Sequence, residues 1–231
     1  ISHINFAGKL YLLFYNTDID LLFLTGQSKT SRFGFDFSRN ISSNFELHGE
    51  FAYINNFRKK SIDDIGNVSE STYDAKSYLL GIRYLTQNET TIICEYFRNG
   101  AGFTTDEMGS FFSSVDKAYD LFLRSNDENS LIKTLSLSEV SYSRQNPMRD
   151  YLYLRISQKD PLNILYLTPS LTWIYNLNDN SFSLSPELLY KGITNLELRL
   201  KAGIIIGHRN TEYGEKQNDF KLEFRIRYYF D

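Results

Sequence analysis

The chain has 231 residues, 42% of them hydrophobic and 16% aromatic, with a mean hydropathy of −0.37 and a formal net charge of −3. That balance leaves no electrostatic case for nucleic acid, and the single cysteine, Cys94, excludes an intramolecular disulfide and argues against a structural zinc site. No apolar run approaches the roughly 18 residues of a membrane helix, but a transmembrane strand is half polar and escapes that test.

The chain opens ISHINFAGKL, without an initiator Met or a signal peptide. The expectation is a removed export signal, or the later part of a longer chain. Segments of period-2 alternation then recur at 5–15, 19–27, 31–39, 44–55, 73–86, 89–98, 149–158, 163–176, 180–191, 194–207 and 218–230. Most are close to the roughly 9–11 residues of a tilted membrane strand. The faces are consistent along the chain. Phe45, Leu47, Gly49, Phe51 and Tyr53 alternate with Glu46, His48, Glu50 and Ala52. Leu167, Pro169, Leu171, Trp173 and Tyr175 alternate with Thr168, Ser170 and Thr172, and Leu196 to Ile206 alternates with Glu197, Arg199, Lys201 and Gly203. Aromatics gather at the ends of the apolar faces, as in interfacial girdles: Phe45 and Tyr53, Trp173 and Tyr175, Phe182 and Tyr190, Tyr228 and Phe230.

Short and long connections alternate. NTD at 16–18, NISSN at 40–44, TQN at 86–88, KDPLN at 159–163 and GIT at 192–194 are short. Between them lie GQSKT, a loop at 56–72, a much longer one at 99–148, NLNDNS, and GHRNTEYGEKQND. Short turns at one end and longer loops at the other are the pattern of an outer-membrane barrel. The expected fold is therefore all-β: an antiparallel up-and-down transmembrane β-barrel, one domain over 1–231, with 99–148 as an outer or lumen-inserted loop. A soluble sandwich or closed barrel is the alternative. About 11–12 strands are expected. An odd count is awkward for closure, so either N-terminal strands are lacking or LIKTLSLSEV at 131–140 supplies one.

The closing segment FKLEFRIRYYF places Phe220, Leu222, Phe224, Ile226, Tyr228 and Phe230 on one face. It is similar to the C-terminal signature of Gram-negative outer-membrane β-barrel proteins, departing only in that Asp231 follows the last Phe. The resemblance covers the final strand and implies a bacterial outer-membrane location, outer-membrane lipid as surroundings, and recognition of that strand by the barrel-assembly machinery. It identifies no porin subfamily.

Within 99–148, GFTTDEMGSFFSSVDKAYDLFLRSN reads as a helix. Thr104 and Glu107 have capping-box spacing, and Met108, Phe111, Phe112, Val115 and Tyr119 recur on one side. Three readings stay open: packing on the outer rim, a plug folded into the lumen, or a surface for a partner. FRNGAG at 97–102 lacks the lysine of a phosphate-binding loop and reads as a turn.

The inward faces carry Arg32, Asp36, Glu46, His48, Glu50, Arg83, Glu95, Arg155, Glu187, Lys191, Glu197, Arg199, Lys201, Lys221, Glu223, Arg225 and Arg227. Arg199, Lys201, Arg225 and Arg227, joined by Arg155, are expected to form an anion-attracting wall opposite Glu46, Glu50 and Glu95. The alternative is pairing between neighbouring strands. His48 lies between Glu46 and Glu50, but a metal would need ligands from another strand, so no metal and no cofactor is expected. Cys94, between Ile92 and Tyr96, reads as a lipid-facing or packing thiol. No nucleophile–base pair is visible, so an enzyme is not expected. The expected function is a porin-like channel for small polar or anionic solutes, with homo-oligomerisation open. The alternative is a barrel sleeve or export scaffold enclosing a partner protein or polymer.

Overall fold

Turn chemistry sets the register from the first hairpin. Phe14 pairs with Thr17, leaving Tyr15 and Asn16 as a two-residue loop. Both have positive φ, 47° and 56°, as required by turns whose twist matches the flanking strands. The computed structural model describes residues 3–126, 128–138, 142 and 144–230. The strands are β1 (Asn5–Phe14), β2 (Thr17–Gly26), β3 (Arg32–Ser42), β4 (Phe45–Ile62), β5 (Val68–Leu85), β6 (Thr90–Arg98), β7 (Asp150–Gln158), β8 (Leu167–Asn176), β9 (Phe182–Ile193), β10 (Leu196–Ile206) and β11 (Phe220–Tyr228). Helices α1 (Thr105–Ser125) and α2 (Glu128–Leu137) lie between β6 and β7. Each strand pairs antiparallel with its sequence neighbours, giving one 11-stranded sheet in the order β1 to β11. Among the described residues β1 and β11 do not pair with each other, so the sheet is open.

Residues directly opposed in an antiparallel ladder share a face. A polar face therefore runs through Tyr11↔Asp20, Asp20↔Asp36, Asp36↔Glu50, Glu46↔Arg83, Gly81↔Glu95, Ile93↔Arg155, Ser170↔Glu187, Glu187↔Lys201 and Lys201↔Glu223. The other face runs through Leu10↔Leu21, Phe35↔Phe51, Leu80↔Tyr96, Cys94↔Leu154, Trp173↔Leu184 and Leu200↔Phe224. Among the described residues nothing covers this apolar face: Leu10, Phe23, Leu80, Leu188 and Phe224 remain 46–63% exposed. Trp173, Tyr175 and Phe182 cluster at one of its ends.

The buried core sits at one end of the sheet, not between layers. It joins Ile62, Phe103, Met108, Phe111, Leu137, Tyr142, Met148 and Tyr151, with Phe97 and Ile174 packed against it. Phe97, Tyr151 and Ile174 belong to the polar-face series of β6, β7 and β8, so the segment between β6 and β7 folds across that face. The sheet curls around it. Lys117 of α1 donates to the Asp64 carbonyl in the β4–β5 loop, while its neighbour Asp116 pairs with Arg209 in the β10–β11 loop at 2.9 Å. On a flat sheet those loops are six strand spacings, about 29 Å, apart. That exceeds what a lysine and an arginine comfortably span from adjacent positions, so the polar face is concave.

Three expectations change. The loop expected at 56–72 shrinks to 63–67, because β4 and β5 continue past a bulge between Ile54 and Phe57. Beyond the apolar band neither face of that hairpin is uniformly greasy, so period-2 hydrophobicity vanishes although the ladder continues. The segment at 131–140 adds no strand: its described residues form α2 and the turn after it, while 139 and 140 lie outside the described residues. The strand expected from 163 starts at Leu167, because Leu162, Asn163 and Tyr166 take positive φ around a 3-10 turn at Pro161–Asn163.

Candidate functional site

Every charged residue expected on the lumen wall lies on the concave face. Glu46 and Glu50 stand on β4, Arg83 on β5, Glu95 on β6, Arg155 on β7, Arg199 and Lys201 on β10, and Arg225 and Arg227 on β11. They are not bare. Glu197, 4% exposed, collects Lys191 at 3.2 Å, Arg199 at 3.3 Å and Arg227 at 3.8 Å. Glu223 takes Arg225 at 2.7 Å and Lys221 at 3.6 Å. Arg155 donates to Thr172 at 2.9 Å and Ser170 at 3.2 Å. On the opposite side His48 bridges Glu46 at 3.6 Å and Glu95 at 3.2 Å, and Arg83 meets Glu46 at 3.7 Å. Neighbour pairing therefore dominates locally. A gradient survives it, since β1–β6 present mainly Asp18, Asp20, Asp36, Glu46, Glu50 and Glu95, while β7–β11 present mainly lysine and arginine. Lys9, Asp18 and Asp20 were not among the expected wall residues; alternation from Tyr11 carried across the two-residue turn at Tyr15 and Asn16 would have found them. Among the described residues no group of three or more His, Cys, Asp or Glu side chains is placed to hold a metal.

The described residues of 99–148 form a folded strap across the mouth of this face. Its root needs glycine: a Cβ on Gly100 would lie 2.1 Å from the Lys76 carbonyl oxygen, and one on Gly102 2.2 Å from that of Met148. The backbone then closes through Asn99 N–H to Arg149 O at 2.6 Å and Phe103 N–H to Pro147 O at 2.8 Å. The capping box forms as expected: the Glu107 amide donates to Thr104 Oγ1 at 3.2 Å, and the Thr104 amide to Glu107 Oε2 at 2.8 Å. Glu107 Oε2 also receives Lys59 Nζ at 2.6 Å. Lys59 is 4% exposed, donates to Gly102 O and lies over the Phe103 ring. Burial pushes the Lys59 ammonium below the usual lysine range although Glu107 opposes this. Burial would raise the Glu107 carboxyl, but the Lys59 and Thr104 hydrogen bonds outweigh it and hold the carboxyl low.

Of the expected plug residues, Met108 and Phe111 are buried in the strap core, and Phe112 and Val115 pack at its border. Tyr119 is 54% exposed and stands outside it. Phe103, Tyr142 and Phe111 stack in one column, with centroid separations of 4.0 and 3.8 Å. Burial there pushes the Tyr142 phenol up to about 12.

A second piece, the β10–β11 loop at 207–219, latches the strap, and its role was not legible in a polar stretch. Glu212, 6% exposed, accepts from Tyr151 Oη at 2.6 Å and Asn176 Nδ2 at 2.8 Å, while its amide donates to Asp179 Oδ2 at 2.7 Å. Burial raises the Glu212 carboxyl more than these hydrogen bonds and Lys216 lower it. Asn176 and Ser181 are fully buried beneath the latch. No family model matches the chain, and no curated protein matches it.

Proposed function

We propose that this chain forms most of an outer-membrane β-barrel that passes small polar or anionic solutes, with the strap narrowing its outer mouth. The observation that carries the reading is the two-faced sheet: eleven strands wide, apolar and uncovered on the convex side, charged on the concave side. Soluble monomers rarely leave an apolar patch beyond a few hundred Å², and about 25 cal/mol is lost for each Å² left in water. Lipid removes that cost while the concave charges stay hydrated.

β1 and β11 run in the same direction, so an odd number of further strands would close the barrel with antiparallel seams throughout. The charge gradient across the lumen would orient a passing solute and favour an anion along β7–β11. Exposed Leu121, Leu123, Ile132 and Leu135 on the helices favour a second reading, a sleeve whose mouth holds a partner chain.

The test is single-channel recording of the full-length protein in a planar bilayer, with reversal potentials in a salt gradient. Steady conductance with anion preference, reduced by Arg225→Glu, supports the channel. Insertion as folded β-structure with no current rejects it in favour of the sleeve.

A further inference from the structure

Strap and latch together leave a cavity of about 340 Å³ over the concave face of β8–β10. Its floor is made by Ile174, Ser183, Ser185, Gly203 and Ile205. The returning chain at Arg144–Asn146 roofs it, and Tyr213, Lys216 and Asn218 of the latch close its side. Gly203 opens the floor: a Cβ there would meet only the Lys221 Cβ, at 3.8 Å. The volume lies at the low end of small-ligand pockets, roughly 300–1,000 Å³, and suits one substituted six-membered ring.

The lining has three chemistries. Lys216 and Lys221 bring positive charge to one pocket. Among the described residues the only carboxylate in the lining is Glu212, which is already engaged by Tyr151 and Asn176. Among the described residues Lys216 forms no salt bridge within 4 Å, although its charge acts on Glu212, and Lys221 meets Glu223 at 3.6 Å. Ser185, Gln145 and Asn218 offer hydroxyl and amide groups. Ile174, Ile205 and Tyr213 offer aliphatic and aromatic surface. Cations suit a carboxylate, hydroxyls and amides suit a polyol, and the apolar surface suits the C–H face of a ring.

We propose that this cavity binds a sugar acid, a hydroxylated monocarboxylate of hexuronate size. The proposal rests on the channel reading for how the ligand reaches the concave face. It goes beyond that reading in assigning a binding site to a wall that diffusion alone does not require.

The experiment is isothermal titration of the full-length protein in detergent micelles with glucuronate, glucose and acetate as probes, beside the bilayer recordings. Glucuronate should bind about tenfold or more tightly than either comparator, the worth of one charge-assisted contact. Lys216→Gln, at an exposed position, should weaken glucuronate by a similar factor. Gly203→Leu should abolish binding by filling the floor. Glucuronate binding no tighter than glucose or acetate, or indifferent to both substitutions, overturns the site. Conductance without glucuronate binding overturns the site and spares the channel. Binding without conductance upholds the site and removes the channel.

Discussion

Lys59 and Glu107 tie the strap to β4, and breaking the pair should free the strap without unfolding the sheet. In Lys59→Met the alkyl stem keeps its packing against Phe103, but the Gly102 carbonyl and the Glu107 carboxylate lose their ammonium partner. Removing one member of a fully buried pair costs about 3–5 kcal/mol. Glu107 keeps 30% of its side chain in solvent and retains the Thr104 amide, so a loss of about 2 kcal/mol is expected here. That multiplies the open population of the strap roughly 30-fold. Tryptic cleavage after Lys117, Arg124 or Lys133, limited by opening, should accelerate by that factor. The folded sheet should meanwhile keep its mobility in a gel run without heating. A cleavage rate changed less than about threefold would refute the claim that this pair holds the strap.

The two carboxylates of the strap and latch should respond to pH in opposite senses. Glu107 is held low, so its stabilisation is present above the unfolded carboxylate value and lost as pH falls through its folded value; strap cleavage should rise in acid. Glu212 is held high, so its contribution is complete below the ordinary value of 4.5 and lost as pH rises through its raised value. Glu212→Gln, which keeps an oxygen for Tyr151 and Asn176, should make corrected amide exchange in 208–218 insensitive to pH over that window. An unchanged pH profile would refute the assignment. Leu200→Arg, in the middle of the apolar face, should cost about 2–4 kcal/mol of folding free energy in lipid vesicles, whereas Ser185→Arg on the concave face should cost much less; equal costs would deny a lipid contact. Gly100→Ala should lose about 3 kcal/mol by overpacking against the Lys76 carbonyl, read as loss of the protease-resistant strap.

Period-2 alternation made most of the sheet legible because one face of each strand must avoid water. The face carrying Glu46, Arg155, Lys201 and Arg225 follows from the same rule. The capping box at Thr104 and Glu107 was equally readable, since its hydrogen bonds are local. What escaped was set by tertiary contact. The β4–β5 hairpin outruns the apolar band, so its ladder at Lys59 and Ile62 has no hydrophobic rhythm to betray it. Glu212 sits in a stretch whose composition reads as a solvated loop, and only its meeting with Tyr151 and Asn176, each far away in sequence, buries it. The pairing of Glu197 with Arg199 two residues along its own strand was readable, but its pairing with Lys191 and Arg227 on the flanking strands depends on register, which alternation alone leaves free to slide by two residues.

Because every strand pairs only with its neighbours in the chain, the sheet has little to search for while it folds. Apart from β6–β7, which closes over the strap, hairpins can zip one after another from either end, each closing a short loop. The strap and latch are the exceptions. Arg209 reaches Asp116 across 93 residues and Tyr151 reaches Glu212 across 61. Those contacts have no meaning until β7 to β10 are aligned, so the mouth is the slow, late-forming part of an otherwise local fold.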